Sequence, residues 1–245
     1  MEVAMLVLFI IFAQIIVYGL TGVESVTFTL KNNCPYTIWP GTLSGSSSPM
    51  LSSTGFELGN GATLSLDVPT HWSGRFWART LCHSDPTGNF RCMTGDCGSG
   101  EISCNGKGGA PPATLAEFTL AGNMNKDFYD ISLVDGFNLP LSVVPQGGTE
   151  CPSTSCTANL NTQCPETLAV KDQGSTIGCN SACVALNQPQ YCCTGEHNTP
   201  QTCPPTSQSQ YFKNQCPQAY SYAYDDPTST FTCPTGVNYL ITFCP

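Results

Sequence analysis

Apolar and polar side chains alternate along much of this chain, the period-two pattern of strands with one buried face. Val26-Thr27-Phe28-Thr29-Leu30 opens the series, and Thr37-Ile38-Trp39 follows a Cys34-Pro35 turn. Leu64, Leu66 and Val68 alternate with polar neighbours, and Arg75-Phe76-Trp77-Ala78-Arg79-Thr80 has two faces, one shared by Arg75, Trp77 and Arg79. Residues 115–120 place Phe118 and Leu120 on one face, Glu117 and Thr119 on the other. Residues 130–135 and 239–243 complete the set, whereas residues 42–55, rich in Ser and Gly, read as a loop. Many short strands separated by turn residues predict a mainly β protein, a sandwich or a barrel.

Between Cys151 and Cys216 the alternation disappears and cysteines crowd together. Asn180 or Ser181 can cap a short helix through Cys183 and Leu186, which Pro189 ends; Ser207 or Ser209 can cap a second around Tyr211 and Phe212, stopped before Pro217. This segment reads as a lobe of loops and short helices, stapled rather than packed. Because alternation resumes at Phe231, the lobe is an insertion between strands of one sandwich. A second cluster, residues 88–104, holds Cys92, Cys97 and Cys104 with four glycines, so no regular helix or buried strand is expected there. Zinc would need paired cysteines or histidines at ligand spacing, and His71, His83 and His197 are not so placed, which favours disulfides and no metal.

The first residues bear on that choice. Residues 3–20 are almost wholly apolar, and Val23 and Ser25 satisfy the small-residue rule for cleavage before Val26. A membrane anchor competes, since the leading segment carries Glu2 and no basic residue. All sixteen cysteines lie downstream, which favours a signal peptide over 1–25 and an oxidising compartment. Sixteen cysteines allow eight bridges in very many pairings; adjacent Cys192 and Cys193 are poorly placed to bond each other and should lead to different partners.

Charge narrows the partners. The net charge is −9, and without Glu2 and Glu24 fifteen acids face eight bases, so nucleic acid and anionic membrane surfaces are not expected partners. Only 10% of residues are charged while another 10% are aromatic, which excludes a disordered chain. No Asn-x-Ser/Thr site occurs. The carboxylates on polar strand faces are the candidate chemistry, because converging carboxyls raise one another's proton affinity and a paired acid and base is what glycosidic cleavage uses. The bland alternative makes Glu117 a solvated strand-face charge and Asp135, before Gly136, a turn residue. Alternating Tyr220, Tyr222 and Tyr224 beside Asp225 could line one strand face and hold a glycan ring, or serve sandwich packing.

Several stretches resemble the thaumatin-like proteins, the group-five pathogenesis-related proteins of plants. They are G-N-F-R-C-M-T-G-D-C-G-S-G-E-I-S-C from Gly88, W-A-R-T from Trp77, P-P-A-T-L-A-E-F from Pro111, Q-P-Q-Y-C-C-T-G from Gln188, C-P-Q-A-Y-S-Y from Cys216 and the terminal F-C-P. The resemblance covers residues 26–245, and sixteen cysteines matches the long form. It implies a flattened antiparallel sandwich of about eleven strands over 26–80, 113–157 and 217–245, a small disulfide loop domain over 81–112, and a disulfide-rich helical domain over 158–216. The bridges it implies are Cys34–Cys244, Cys82–Cys92, Cys97–Cys104, Cys151–Cys233, Cys156–Cys216, Cys164–Cys179, Cys183–Cys192 and Cys193–Cys203.

For function, the resemblance implies an acidic interdomain cleft carrying Glu117, Asp130, Asp135 and Asp225, with its arginine at Arg75 or Arg79. The expected role is plant defence: binding of β-1,3-glucan or a membrane component of fungi, without a cofactor, by a monomer. A weak endo-β-1,3-glucanase with Glu117 as proton donor is the alternative, and an apoplastic stress protein without a glycan ligand is the third reading. Only Pro245 follows Cys244, so the vacuolar extension of some relatives is absent and export to the apoplast is expected.

Overall fold

The computed structural model describes residues 25–245. The expected signal peptide falls outside them but for Ser25, which begins the first strand. Thirteen strands run in order: β1 (Ser25–Asn32), β2 (Trp39–Ser44), β3 (Thr63–Pro69), β4 (Ser73–Ser84), β5 (Phe90–Thr94), β6 (Leu115–Thr119), β7 (Lys126–Ser132), β8 (Leu141–Gln146), β9 (Thr154–Cys156), β10 (Ala169–Asp172), β11 (Ser175–Cys179), β12 (Phe231–Pro234) and β13 (Asn238–Phe243). Five form one sheet in the order β3-β1-β13-β8-β9; six form the other, β12-β7-β6-β4-β2 with β5 on the far half of β4. Every named pairing is antiparallel except that of β1 with β13, which sets Phe28 beside Tyr239 in parallel.

Alternation explains the strands and the core together. In β1, Val26, Phe28 and Leu30 are buried while Thr27 and Thr29 are not. Phe28 lies at the centre of the sandwich, 5.2 Å from the Phe76 ring, 4.7 Å edge-on from Phe118 and 5.1 Å from Tyr239, so one side chain from each of four strands shares the same space. Aromatic rings of this kind each bury about 150–250 Å² and dominate a core's energetics. A polar tie crosses the same core: the buried Asp127 carboxylate on β7 accepts from Tyr239 Oη on β13 at 2.8 Å and from Ala121 N at 2.9 Å.

The cysteine- and glycine-rich cluster departs from expectation. Phe90–Thr94 is a strand, with Phe90 and Thr94 buried, and Cys92 sits opposite Cys82 of β4 and is bridged to it. The glycines fall outside it, Gly88 and Gly95 at positive φ where the chain turns, so they frame the strand instead of interrupting it. Likewise β2 runs on to Ser44, into the stretch expected to be loop, and the lobe contains the β10–β11 hairpin besides its short helices. Ser181 caps the helix Ala182–Leu186; Thr206 caps Ser207–Gln215, with Ser209 completing a capping box.

Eight bridges close the fold: Cys34–Cys244, Cys82–Cys92, Cys97–Cys104, Cys151–Cys233, Cys156–Cys216, Cys164–Cys179, Cys183–Cys192 and Cys193–Cys203. The segment between β5 and β6 folds over the Trp77 and Arg79 side chains. The Trp77 indole fits only because Gly41 and Gly109 lack side chains, since a Cβ at either would come within 2.6 Å of the ring. Arg79 is fully buried; its guanidinium donates to the carbonyls of Trp39 at 2.9 Å and Ile102 at 2.6 Å and lies 5.4 Å over the Phe90 ring. Burial lowers its pKa to about 10, against the opposing pull of Asp96.

Arg79→Met keeps the stem but strands these carbonyls without donors. Urea denaturation should show a loss of about 3 kcal/mol or more. A loss below about 0.5 kcal/mol would mean that the arginine does not hold this segment down.

Candidate functional site

Antiparallel register in the six-stranded sheet builds the site. Arg75 of β4 pairs with Glu117 of β6, and Glu117 pairs with Asp130 of β7, so the three side chains form one row across three neighbouring strands. Phe76, Phe118, Tyr129 and Ile131, which alternate with them, point into the core and commit the charged row to the outer face. Directly opposed residues have Cβ atoms about 5 Å apart, so Glu117 has a cation on one side and a second carboxyl on the other. Arg75 Nη1 lies 3.9 Å from Glu117 Oε1, with the two side chains 34% and 38% exposed, a loose and solvent-screened ion pair.

A cavity of about 360 Å³ opens over the row. Arg75, Glu117, Asp130 and Ser132 form its sheet side; Asp135 comes from the turn after β7, and Tyr220 and Asp226 from the segment that returns from the lobe. Tyr220 Oη donates to Asp226 Oδ1 at 2.9 Å, and the Tyr220 backbone bridges to Ser132, so this wall is tied to the sheet. A second cavity of about 490 Å³ shares Arg75, Glu117 and Asp130 and continues along the sheet past Ser73, Thr119 and Phe128.

The structure gathers five of the expected residues, Arg75, Glu117, Asp130, Asp135 and Tyr220, into one trough. Arg79 shares a strand face with Arg75 but is enclosed by the segment between β5 and β6, so it cannot meet a ligand there and Arg75 is the trough's arginine. Asp225 is buried and already bound: its Oδ2 accepts from Lys213 Nζ at 3.0 Å, Ser221 N at 3.0 Å and Ser221 Oγ at 2.9 Å. Its neighbour Asp226 lines the cavity instead. The tyrosine strand is also corrected, because residues 221–224 are bends and turns. Tyr220 reaches the trough, Tyr222 lies in a separate crevice beside Ser181 and Tyr191, and Tyr224 lines neither cavity of the trough. Asp226, Ser132 and Phe128 were not read from the sequence; Phe128 stands two residues before Asp130, so extending the alternation backwards would have found it.

Enclosure sets the electrostatics. Asp130 is raised to about 8, first by desolvation and then by the charges of Glu117 and Asp226. Its Oδ1 is buried with no hydrogen-bond partner in the protein. Glu117 is raised by desolvation, with Arg75 pulling the other way, and Asp135 is raised by desolvation against the same arginine. Desolvation and mutual repulsion therefore favour a proton on the row, with Asp130 the carboxyl raised without a cation to oppose it. Among the described residues no group of His, Cys, Asp or Glu is arranged to hold a metal ion.

The sign of the pH dependence follows. A carboxyl raised from about 3.9 binds more protons folded than unfolded between about pH 4 and 8, so its stabilising contribution is complete below that window and is lost as pH rises through it. Asp130→Asn removes the loss. Calorimetry should show its melting temperature gaining on the wild type from about pH 4 to 8, by the equivalent of at most about 1.4 kcal/mol per pH unit. Parallel curves would mean that Asp130 titrates normally.

Comparison with known proteins agrees with the fold. A model of the Thaumatin family matches residues 32–245. Thaumatin-like protein 1 of Pyrus pyrifolia is 65% identical over 226 residues, which cover 91% of this chain and 93% of that one. A Prunus avium protein named glucan endo-1,3-beta-glucosidase is 58% identical over 226 residues, 91% of this chain and 92% of its own. Pathogenesis-related protein 5 of Arabidopsis thaliana is 56% identical over 237 residues, 96% and 97% of the two chains. With a sandwich of two sheets, eight disulfides and these relatives, the chain belongs to the thaumatin family, among its thaumatin-like, pathogenesis-related members.

Proposed function

We propose that this is an exported plant defence protein whose acidic trough binds β-1,3-glucan of fungal walls. The observation that carries the reading is the Arg75–Glu117–Asp130 row at the base of a cavity, with Asp130 Oδ1 buried and unpartnered. An orphaned acceptor is costly until a donor arrives, and a sugar hydroxyl is a donor of the right size. Arg75 supplies donors to ring or linkage oxygens, the carboxylates accept from further hydroxyls, and Tyr220 offers an aromatic edge on the opposite wall. A polysaccharide suits this lining better than a membrane component, because carboxyl, hydroxyl and guanidinium groups dominate the trough.

Hydrolysis is a second reading, favoured by the inequality between the two neighbouring carboxyls. Arg75 pairs with Glu117 and not with Asp130, while Asp130 keeps its proton to about pH 8. One protonated and one ionised carboxyl is the acid and base arrangement of glycosidases. These electrostatics favour Asp130 as the proton donor and Glu117 as the ionised partner, whereas the family resemblance implies Glu117 as the donor. The Prunus avium relative's name agrees with this chemistry.

Reducing-end release from a soluble linear β-1,3-glucan, with binding measured in the same samples, tests both. If the trough hydrolyses glucan, Glu117→Gln and Asp130→Asn each lower release by about 100-fold or more and still bind. Binding by the wild type without release leaves recognition as the function. A wild type that neither binds nor cleaves overturns the proposal.

A further inference from the structure

The chain contains two Asn-Gly pairs, Asn60–Gly61 and Asn105–Gly106, both exposed. In such a pair the backbone nitrogen after the asparagine can attack the side-chain Cγ, and glycine has no Cβ to block the approach. The fold treats the two pairs differently. At the first, the Gly61 nitrogen donates to the Asn32 carbonyl at 2.8 Å and the Asn60 carboxamide donates to the Cys34 carbonyl, so nucleophile and target are both held. At the second, the Gly106 nitrogen has no hydrogen-bond partner among the described residues, and the Asn105 carboxamide donates only to the exposed Glu101 carboxylate, at 3.2 Å.

Backbone geometry widens the difference. Asn105 and Gly106 stand at φ 51° and 79°, and Lys107 N donates to the Cys104 carbonyl at 3.0 Å, which makes a type I′ turn. Closing a ring between Gly106 N and Asn105 Cγ needs an Asn105 ψ near about −120°, which with its positive φ is the first central position of a type II′ turn. The two turns share that φ and the closing hydrogen bond, so rotating one peptide plane reaches the reactive form. Asn60 is not at positive φ, and its turn, closed by Ala62 N on the Gly59 carbonyl at 3.0 Å with Gly61 at φ 74°, is type II, of the opposite hand.

The segment after the reactive pair has no slack. Cys104 is buried and bridged to Cys97, and Ala110 N donates to the Asp96 carbonyl at 2.7 Å, so both ends are fixed. Between them Gly108 backs onto the Arg75 guanidinium and Gly109 onto the Trp77 indole, where an added Cβ would lie 3.3 Å and 2.5 Å away respectively.

We propose that Asn105 is a site of spontaneous deamidation, whose β-linked product disturbs the backbone packed on Arg75 and Trp77. Gly106 N bonds to Asn105 Cγ as the Cγ–Nδ2 bond breaks; the Gly106 amide proton passes to solvent, and Nδ2 leaves as ammonia after taking a proton from water. Water then opens the succinimide at either carbonyl. Opening at Cγ leaves an ordinary aspartate, and opening at the main-chain carbonyl leaves an isoaspartate with an extra backbone atom between the two fixed ends. Either product adds a carboxylate beside Glu101, and nothing is oxidised or reduced.

Incubation of the intact protein at alkaline pH, followed by reduction and peptide mass spectrometry, tests the assignment. Asn105 should deamidate about tenfold or more faster than Asn60, and Gly106→Ala should slow Asn105 by about tenfold while leaving Asn60 unchanged. In the reduced, urea-unfolded chain the two sites should react alike, because both precede glycine. Equal rates in the folded protein, or the same bias in the unfolded chain, overturn the assignment. The isoaspartyl form, separated by charge, should show faster amide hydrogen exchange across residues 106–110 than the unmodified protein. Identical exchange overturns the effect on the segment at Arg75 and Trp77.

Discussion

Parallel pairing of the first described strand with the last closes this chain on itself, and the other contacts rest on that frame. Parallel neighbours cannot be joined by a tight turn, and here the whole intervening chain is the connection. Cys34 and Cys244, 210 residues apart in sequence, join covalently just beyond the paired strands. In the chain-entropy model a loop of that length is worth about 4 kcal/mol or more against the unfolded state, which offsets part of the cost of so non-local a topology. With β13 held against β1, Tyr239 reaches both Phe28 and the Asp127 carboxylate of the opposite sheet, and the two layers are fixed relative to each other.

That rigidity is what permits the acidic row. Neighbouring carboxyls on a flexible segment would swing apart into water; on adjacent strands their separation is set by the hydrogen-bond ladder. Because β4, β6 and β7 are packed against the core by Phe76, Phe118 and Ile131, Glu117 and Asp130 cannot move apart; Arg75 relieves Glu117 in part, and Asp130 is relieved by holding a proton. The lobe completes the enclosure without touching the chemistry. Lys213, on the helix Ser207–Gln215, ion-pairs with Asp225 and donates to the Ala219 carbonyl, and so fixes the segment that presents Tyr220 and Asp226.

What the sequence revealed follows the range of the interactions involved. Alternation is local, and it located β1, β3, β6 and β13, and with β6 the outward direction of Glu117. β5 was hidden because its few residues sit among glycines and cysteines, whose role as strand ends and a cross-strand bridge is decided by β4. Arg75 and Arg79 have the same period and the same face. Only the fold of the segment between β5 and β6, a long-range event, buries one and leaves the other in the trough. Asp225 and Asp226 are adjacent at the start of the helix Asp226–Ser229, too short for periodicity to assign direction; Lys213 selects which of them is turned inward.

The nested bridges also govern what happens when the backbone is cut. Every residue from 35 to 243 lies inside the Cys34–Cys244 loop, so a single peptide-bond cleavage anywhere within it severs the chain without releasing a fragment. The lobe repeats this on a smaller scale, where the segment between Cys193 and Cys203 is itself closed by a bridge inside the larger loop from Cys156 to Cys216. A protease can therefore nick an exposed turn, where cleavage concentrates, while both halves stay joined. A single nick therefore becomes visible as two pieces only after reduction.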